Sequence, residues 1–210
     1  FDSKGSEYFD VEDLDYYDEL ENKVLDYYVA CDLAGFETER GAKTKRRDNS
    51  AIAIVGVDGE GVWWVEDIRY GRWTLDETAE EIFKAVRDYR ALAVGIEKGI
   101  GQQAVMSPLN DIMRRTHRVF RIDLLSHGNQ KKQDRILWAL QGRLEHKRIK
   151  FKKGDWNVEF VDEAAGFPSQ LVHDDLLDAL AYIDQMALVP YASDLITDDD
   201  YEMVDIIAGY

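Results

Sequence analysis

Apolar and polar positions follow two periods along this chain, and the switches between them predict a mixed α/β fold. Residues 25–33 hold the apolar run Tyr27-Tyr28-Val29-Ala30-Cys31-Asp32, which predicts a buried strand. A loop rich in charge and glycine follows, Gly35 to Asn49. Two more strand-like runs, Ser50–Val57 and Val62–Arg69, are separated by Asp58-Gly59-Glu60-Gly61. Asp-Gly between two such runs is a strong hairpin signal, so the first three strands are expected to form an antiparallel meander. The period becomes helical at Thr74. There Thr74 and Glu77 fit a capping box, and Leu75, Ala79, Ile82, Phe83 and Val86 share one side.

Leu92–Ile96 is continuously apolar, as a central strand covered on both faces requires. Gly99–Arg115 predicts a loop and helix, with Pro108 setting the helix start. Val119–Ile122 predicts a short strand, and Gln130–His146 a helix with Ile136, Leu137, Leu140 and Leu144 on one face. Ile149–Phe151 reads as a short edge strand, and Val158–Ala165 and Asp174–Leu188 as further helices. A three-strand meander followed by βα units gives a mixed sheet flanked by helices. Trp63 and Trp64 are adjacent on a strand and face opposite ways, one expected in the core and one at the surface. Residues 1–24 lack a clean period and read as an acidic linker segment with a short helix. The folded domain is expected over 25–191 and an acidic tail over 192–210.

A hydrophobic content of 45% supports a real core in a chain of 210 residues. One cysteine, Cys31, excludes an internal disulfide, favours an intracellular setting and reads as a small buried residue rather than a nucleophile. No apolar run approaches the roughly 20 residues of a membrane helix. The four histidines lack zinc-ligand spacing. Phe rather than Met at position 1 suggests a piece of a longer protein.

The net charge of −16 argues against a nucleic-acid partner until its distribution is read. Residues 1–26 hold ten acids against Lys4 and Lys23, and residues 194–210 hold six acids and no base, so the two ends carry −14 and leave −2 for residues 27–193. Inside that middle lie two basic clusters, Arg40 to Arg47 and Arg143 to Lys153. Local potential decides where a polyanion docks. The alternative is that both clusters are solvated surface.

The chemistry concentrates in acids at the ends of apolar runs. Asp32 ends the first strand run, Glu97 ends the Leu92–Ile96 run, and His173-Asp174-Asp175-Leu176-Leu177-Asp178-Ala179 opens the last helix. Asp175 and Asp178, three residues apart, point the same way on a helix. Each acid has a bland reading: Asp32 as a cap of the next turn, Glu97 paired with Lys98, and the helix acids as ordinary dipole decoration. His173 either orders a water or phosphate or caps the helix. Jointly, the ends of adjacent strands lie together, and carboxylates gathered there repel unless a cation sits among them. Two Mg2+ or Mn2+ ions suit four such acids and suit phosphodiester hydrolysis. Lys131, Lys132 and Arg135 start a helix nearby and read either as a phosphate clamp or as solvated charge. Arg46 and Arg47 fall in a loop suited to a DNA-facing flap.

These residues resemble a known family. "VACDLAG" with Asp32, "AVGIEKG" with Glu97, "KKQDRILWALQGRLEHKRIKF" around Lys132 and Arg135, and "HDDLLDALAY" with Asp175 and Asp178 are similar, in order and spacing, to the C-terminal nuclease domain of the large terminase subunit of tailed bacteriophages. The resemblance spans about residues 25–190 and implies an RNase H-like (RuvC-type) fold. It implies Asp32, Glu97 and Asp175 as core metal ligands, Asp178 as completing the site and Asp174 as a possible substitute. It further implies a metal-dependent endonuclease that cuts concatemeric viral double-stranded DNA during genome packaging, with little sequence specificity because backbone contacts carry no base information.

The partners implied are double-stranded DNA, an ATPase motor domain of the same subunit, the portal and the small terminase subunit. The place implied is the infected host's cytoplasm at the procapsid portal, not the mature virion. The chain itself carries no G-x-x-x-x-G-K-[ST] motif. Two alternatives stand beside this reading: a RuvC-like junction resolvase or transposase-type nuclease, and a packaging-complex docking module without catalysis.

Overall fold

The computed structural model describes residues 8–20, 23–34, 49–126, 131–169, 171 and 173–187. The expected Arg46 and Arg47 flap and the acidic tail lie outside the described residues. In chain order the elements are β1 (Asp15–Tyr17), β2 (Asp26–Asp32), β3 (Ser50–Val57), β4 (Trp63–Gly71), α1 (Leu75–Tyr89), β5 (Ala93–Glu97), α2 (Ile100–Thr116), β6 (Arg121–Leu125), α3 (Lys132–Glu145), β7 (Ile149–Lys152), α4 (Trp156–Gly166), α5 (Asp175–Ala181) and α6 (Ile183–Met186). The strands form one seven-stranded sheet in the order β1-β7-β4-β3-β2-β5-β6. The β2-β3-β4 meander is antiparallel, and β5 and β6 extend it in parallel beyond β2.

The meander closes where the Asp-Gly signal put it. Asp58 accepts hydrogen bonds through Oδ1 from the backbone N–H of Glu60 at 3.0 Å and of Val62 at 2.9 Å. Gly61 takes φ +77° there, a conformation that side-chain-bearing residues rarely adopt. The capping box of α1 also forms: Thr74 Oγ1 accepts from Glu77 N–H at 3.3 Å, and Glu77 Oε2 accepts from Thr74 N–H at 2.8 Å.

The sheet divides two apolar layers. Val29, Cys31, Ile52, Ile54, Val94 and Ile96 pack with α1 and α2. Ala30, Ala53, Val55 and Phe151 pack with residues of α3, α4, α5 and α6. Alternation along each strand produces this division. Among the described residues no helix is long and apolar enough to cross a membrane.

Several elements differ from the sequence expectation. The segment read as a linker contributes β1, which pairs in parallel with β7, so β7 is an interior strand rather than an edge. Both tryptophans are buried, Trp63 beneath Arg143 on the α3 side and Trp64 against β1. Trp64, expected either at the surface or in the core, meets the Tyr17 ring at 5.2 Å and donates its indole N–H to Asp58 Oδ2 at 3.0 Å. Pro108 lies inside α2 rather than at its start. Burial of Val105, Leu109, Ile112 and Met113 along α2 offsets the missing backbone bond, a loss of about 3 kcal/mol. The last helical stretch divides into α5 and α6 at Tyr182.

Candidate functional site

Strand alternation and register bring the first two acids together. Ala30 faces the α5 layer and Cys31 the opposite one, so Asp32 turns toward α5. On β5, Val94 and Ile96 face α1 and α2, so Glu97 turns the same way as Asp32. The parallel register aligns Cys31 with Ile96 and so sets Asp32 beside Glu97. A Cβ at Gly95 would collide with Met186 and Leu125, so glycine is what lets α6 lie directly against β5.

Helix α5 supplies the third acid. All of its residues are buried, and Asp178 is only 1% exposed. Carboxylate oxygens of Asp32, Glu97 and Asp178 lie within 4.8 Å of one another. Asp175 shares the helix face but is engaged elsewhere. Its Oδ2 accepts from Asn49 N–H at 3.2 Å and lies 3.7 Å from His173 Nδ1. Asp174 occupies the N-cap position of α5 without a capping bond from its side chain.

Helix α3 brings the compensating charge. Lys132 Nζ lies 2.9 Å from Asp174 Oδ1, 3.0 Å from Asp178 Oδ2 and 3.6 Å from Asp32 Oδ2. Arg135, expected at a phosphate, is instead 6% exposed. It bonds Asp178 Oδ1 and stacks over the Tyr182 ring at 4.2 Å. The physical reason is the helix phase: Arg135 lies on the same inward side as Ile136, Ala139 and Leu140. Lys131 is exposed at the start of α3. Tyr182 also hydrogen-bonds Glu97, so the stacked Arg135 and Tyr182 side chains hold two of the three clustered acids, Asp178 and Glu97.

Two functional residues gave little sign of themselves in the sequence. Tyr182 sits in an apolar helical run, and Glu163 lies in the middle of α4. Glu163 is 2% exposed, and its Oε2 accepts from the backbone N–H groups of Leu176 at 2.9 Å and Leu177 at 3.1 Å. The available signal is weak: Glu163 directly follows Asp162, and only its helical spacing from Phe160 and its neighbour Ala164 set it on the apolar side.

The electrostatics match a crowded carboxylate site. Burial first, and then the charges of Asp178, Glu97 and Asp175, raise the Asp32 carboxyl above its ordinary range against the pull of Lys132. Burial works against the charge of Lys132, but Asp32, Asp178 and Asp174 together raise it. Burial pushes Glu163 from 4.5 up to about 8, although the two backbone N–H bonds oppose the shift.

A carboxyl with a raised folded-state pKa stabilises the fold below its unfolded pKa and loses that contribution as pH rises through the folded value. The metal-free protein is therefore expected to lose melting temperature between about pH 4.5 and pH 8. Glu163→Gln should flatten that loss by on the order of a few kcal/mol. Thermal melts across this range check it, and an unchanged slope in the variant contradicts it.

All three clustered donors are hard oxygen donors with mutual repulsion, a set that fits Mg2+ or Mn2+ and not a soft-metal site. A separate cavity of about 620 Å³, lined by Asp76, Ser107, Asp111 and Arg115 among others, lies between α1 and α2 and includes none of these acids.

Comparison with known proteins gives a consistent result. The family model described as the terminase RNaseH-like domain matches residues 37–187. The large terminase nuclease from thermophilic phage G20c, solved with bound magnesium, superposes with a TM-score of 0.56 at 13% identity, over 85% of this chain and 96% of that one. The large terminase nuclease domain of Thermus phage P74-26 gives 0.56 at 12% identity, over 84% and 93%. A mutant nuclease domain of the large terminase subunit of bacterial virus Sf6, solved with manganese and beta-thujaplicinol, gives 0.51 at 13% identity, over 77% and 88%. At these identities the structures share the RNase H-like fold with this chain. No curated protein matches the chain significantly.

Proposed function

The chain belongs to the terminase RNase H-like domain family, and on that premise we propose that it is a divalent-metal-dependent endonuclease domain acting on double-stranded DNA during viral genome packaging. The observation that carries this reading is the convergence of Asp32, Glu97 and Asp178 within 4.8 Å at the ends of β2 and β5 and on α5. We assign these three as the metal ligands, with Asp175 beside them as a fourth acid. The phage G20c and Sf6 nucleases, which share this fold, were solved with magnesium and with manganese, and that supports a divalent metal in this reading.

Two Mg2+ or Mn2+ ions, when bound, supply Lewis-acid activation of the attacking water and neutralise the leaving 3′ oxygen. The chain's own residues do the rest. Arg135 fixes Asp178 from below, and Tyr182 fixes Glu97. Lys132, half-exposed at the rim, balances the acids and stands where a DNA phosphate would approach. Lys131 extends that positive edge into solvent, and Arg46 and Arg47 complete the proposed DNA-facing set.

On this reading the domain would act in the host cytoplasm, joined to the ATPase motor of its subunit and working with the portal and the small subunit on concatemeric DNA. The domain would begin before β1 rather than at residue 25, since β1 and Phe9 belong to the sheet and core, and would end near 191, before the acidic segment at 192–210.

The test is a substrate comparison with the purified protein in Mn2+ or Mg2+ titrated to millimolar levels. Supercoiled plasmid and linear duplex should be cut at many sites. Strong preference for a four-way junction would favour a resolvase, and no cleavage of any substrate would favour a docking module.

A further inference from the structure

The geometry points to Glu163 as a positioning residue, which fixes helix α5 from across the layer and thereby sets where Asp178 and Asp175 stand against Asp32 and Glu97. This rests on the metal-ligand reading above. Asp32 and Glu97 are held by strand register, but Asp178 stands on a helix of only seven residues. Two turns of helix are marginal without outside support. The first N–H groups of any helix lack internal partners and are usually met by the N-cap side chain. Here the N-cap residue, Asp174, makes no such bond and its carboxylate is drawn to Lys132. The N–H groups of Leu176 and Leu177 are met instead by one oxygen of Glu163, supplied by α4.

Both acceptor bonds go to a single oxygen, Oε2, which has two consequences. The bonds constrain the rotation of α5 about its axis as well as its depth, because they act on consecutive residues. They also make glutamine an adequate replacement, since its one carbonyl oxygen can accept both. Methionine keeps the volume and removes the acceptor. The expected order of performance is therefore wild type, then Glu163→Gln close behind, then Glu163→Met far below.

The experiment measures amide hydrogen exchange at residues 176 and 177 in the metal-free proteins, and Mn2+ affinity by calorimetry alongside plasmid nicking, all well below the lowest melting temperature. Glu163→Met should speed exchange at these amides at least about tenfold and weaken Mn2+ binding by about 10- to 100-fold, the range for supporting partners of metal ligands. Glu163→Gln should stay within about twofold of wild type on both readouts. A residue that only stabilised the fold would lower the melting temperature without changing Mn2+ affinity.

Wild-type exchange and Mn2+ affinity in Glu163→Met overturn the inference, as does a glutamine variant as impaired as the methionine one. Should Glu163→Met not fold, Glu163→Asp, whose acceptor is one methylene short, should show faster exchange and weaker Mn2+ binding, and wild-type values there overturn the inference. A wild type that neither binds Mn2+ nor cuts overturns the metal reading and this inference with it. Unchanged Mn2+ affinity in the methionine variant of a cutting wild type overturns this inference alone.

Discussion

Asp32→Asn is expected to lower Mn2+-dependent DNA cleavage on the order of 10³-fold while raising the melting temperature of the metal-free protein near pH 8. The two effects share one cause. Asp32 stands in a partly buried position where desolvation and the charges of Asp178, Glu97 and Asp175 all disfavour its ionised form. Asparagine has nearly the same shape, loses only a 3.6 Å ion pair to Lys132, and removes the repulsion. The fold gains and the metal loses a charged ligand. Supporting partners of metal ligands are worth about 10- to 100-fold, and a direct ligand in a charge-neutralising site is worth more.

A further readout separates metal binding from chemistry. At a Mn2+ concentration about 100 times its dissociation constant, binding stabilises the folded state by about 2.7 kcal/mol. In a chain of this size that raises the melting temperature by about 5–10 °C. Wild type should show the rise and Asp32→Asn should not. A variant that is destabilised without metal, or that keeps the Mn2+-induced rise, contradicts the assignment.

Arg135→Ala should destabilise the protein by about 3–5 kcal/mol, the usual loss when one partner of a buried ion pair is removed. Arg135 is buried, pairs with the almost fully buried Asp178 and stacks on Tyr182. Its removal leaves Asp178 desolvated with Lys132 as its remaining cationic partner among the described ion pairs, and opens space against the Tyr182 ring. A fall in melting temperature of roughly 10 °C is expected. Lys131→Ala, at an exposed position, should change stability by less than about 0.5 kcal/mol. Denaturant unfolding of the two variants checks this. A near-neutral Arg135→Ala with weaker DNA binding and a shallower salt dependence would return Arg135 to the DNA interface.

That arginine shows where sequence reasoning reaches its limit. Period and punctuation were enough for the meander, for α1 with its capping box and for β5, because each is encoded by neighbours in the chain. The acids at the ends of β2 and β5 were legible for the same reason: a charge that interrupts a buried run is visible locally. The pairing of β1 with β7 was not, since three residues joined to a strand more than a hundred positions away leave no local period. The burial of Trp64 is hidden for the same reason, because the strand that covers it carries no local period.

Arg135 and Glu163 were hidden differently. A charged residue on an amphipathic helix reads as solvated, and only the packed partner, Asp178 for one and the N-terminal N–H groups of α5 for the other, shows that it points inward. The spacing of Asp175 and Asp178 put both on one face, but it could not show that Asp178 joins Asp32 and Glu97 while Asp175 turns to Asn49 and His173.

On the proposed function, the acids converging from β2, β5 and α5 hold the cations that cut DNA. Glu97→Gln tests it with little structural cost, since the amide oxygen can still accept the Tyr182 hydrogen bond. The measurement is nicking of supercoiled plasmid as Mn2+ rises from zero into the millimolar range, wild type beside Glu97→Gln. Nicking should appear with metal in wild type and stay absent at every concentration in the variant. Equal nicking by both proteins, or nicking by wild type without divalent metal, would contradict it.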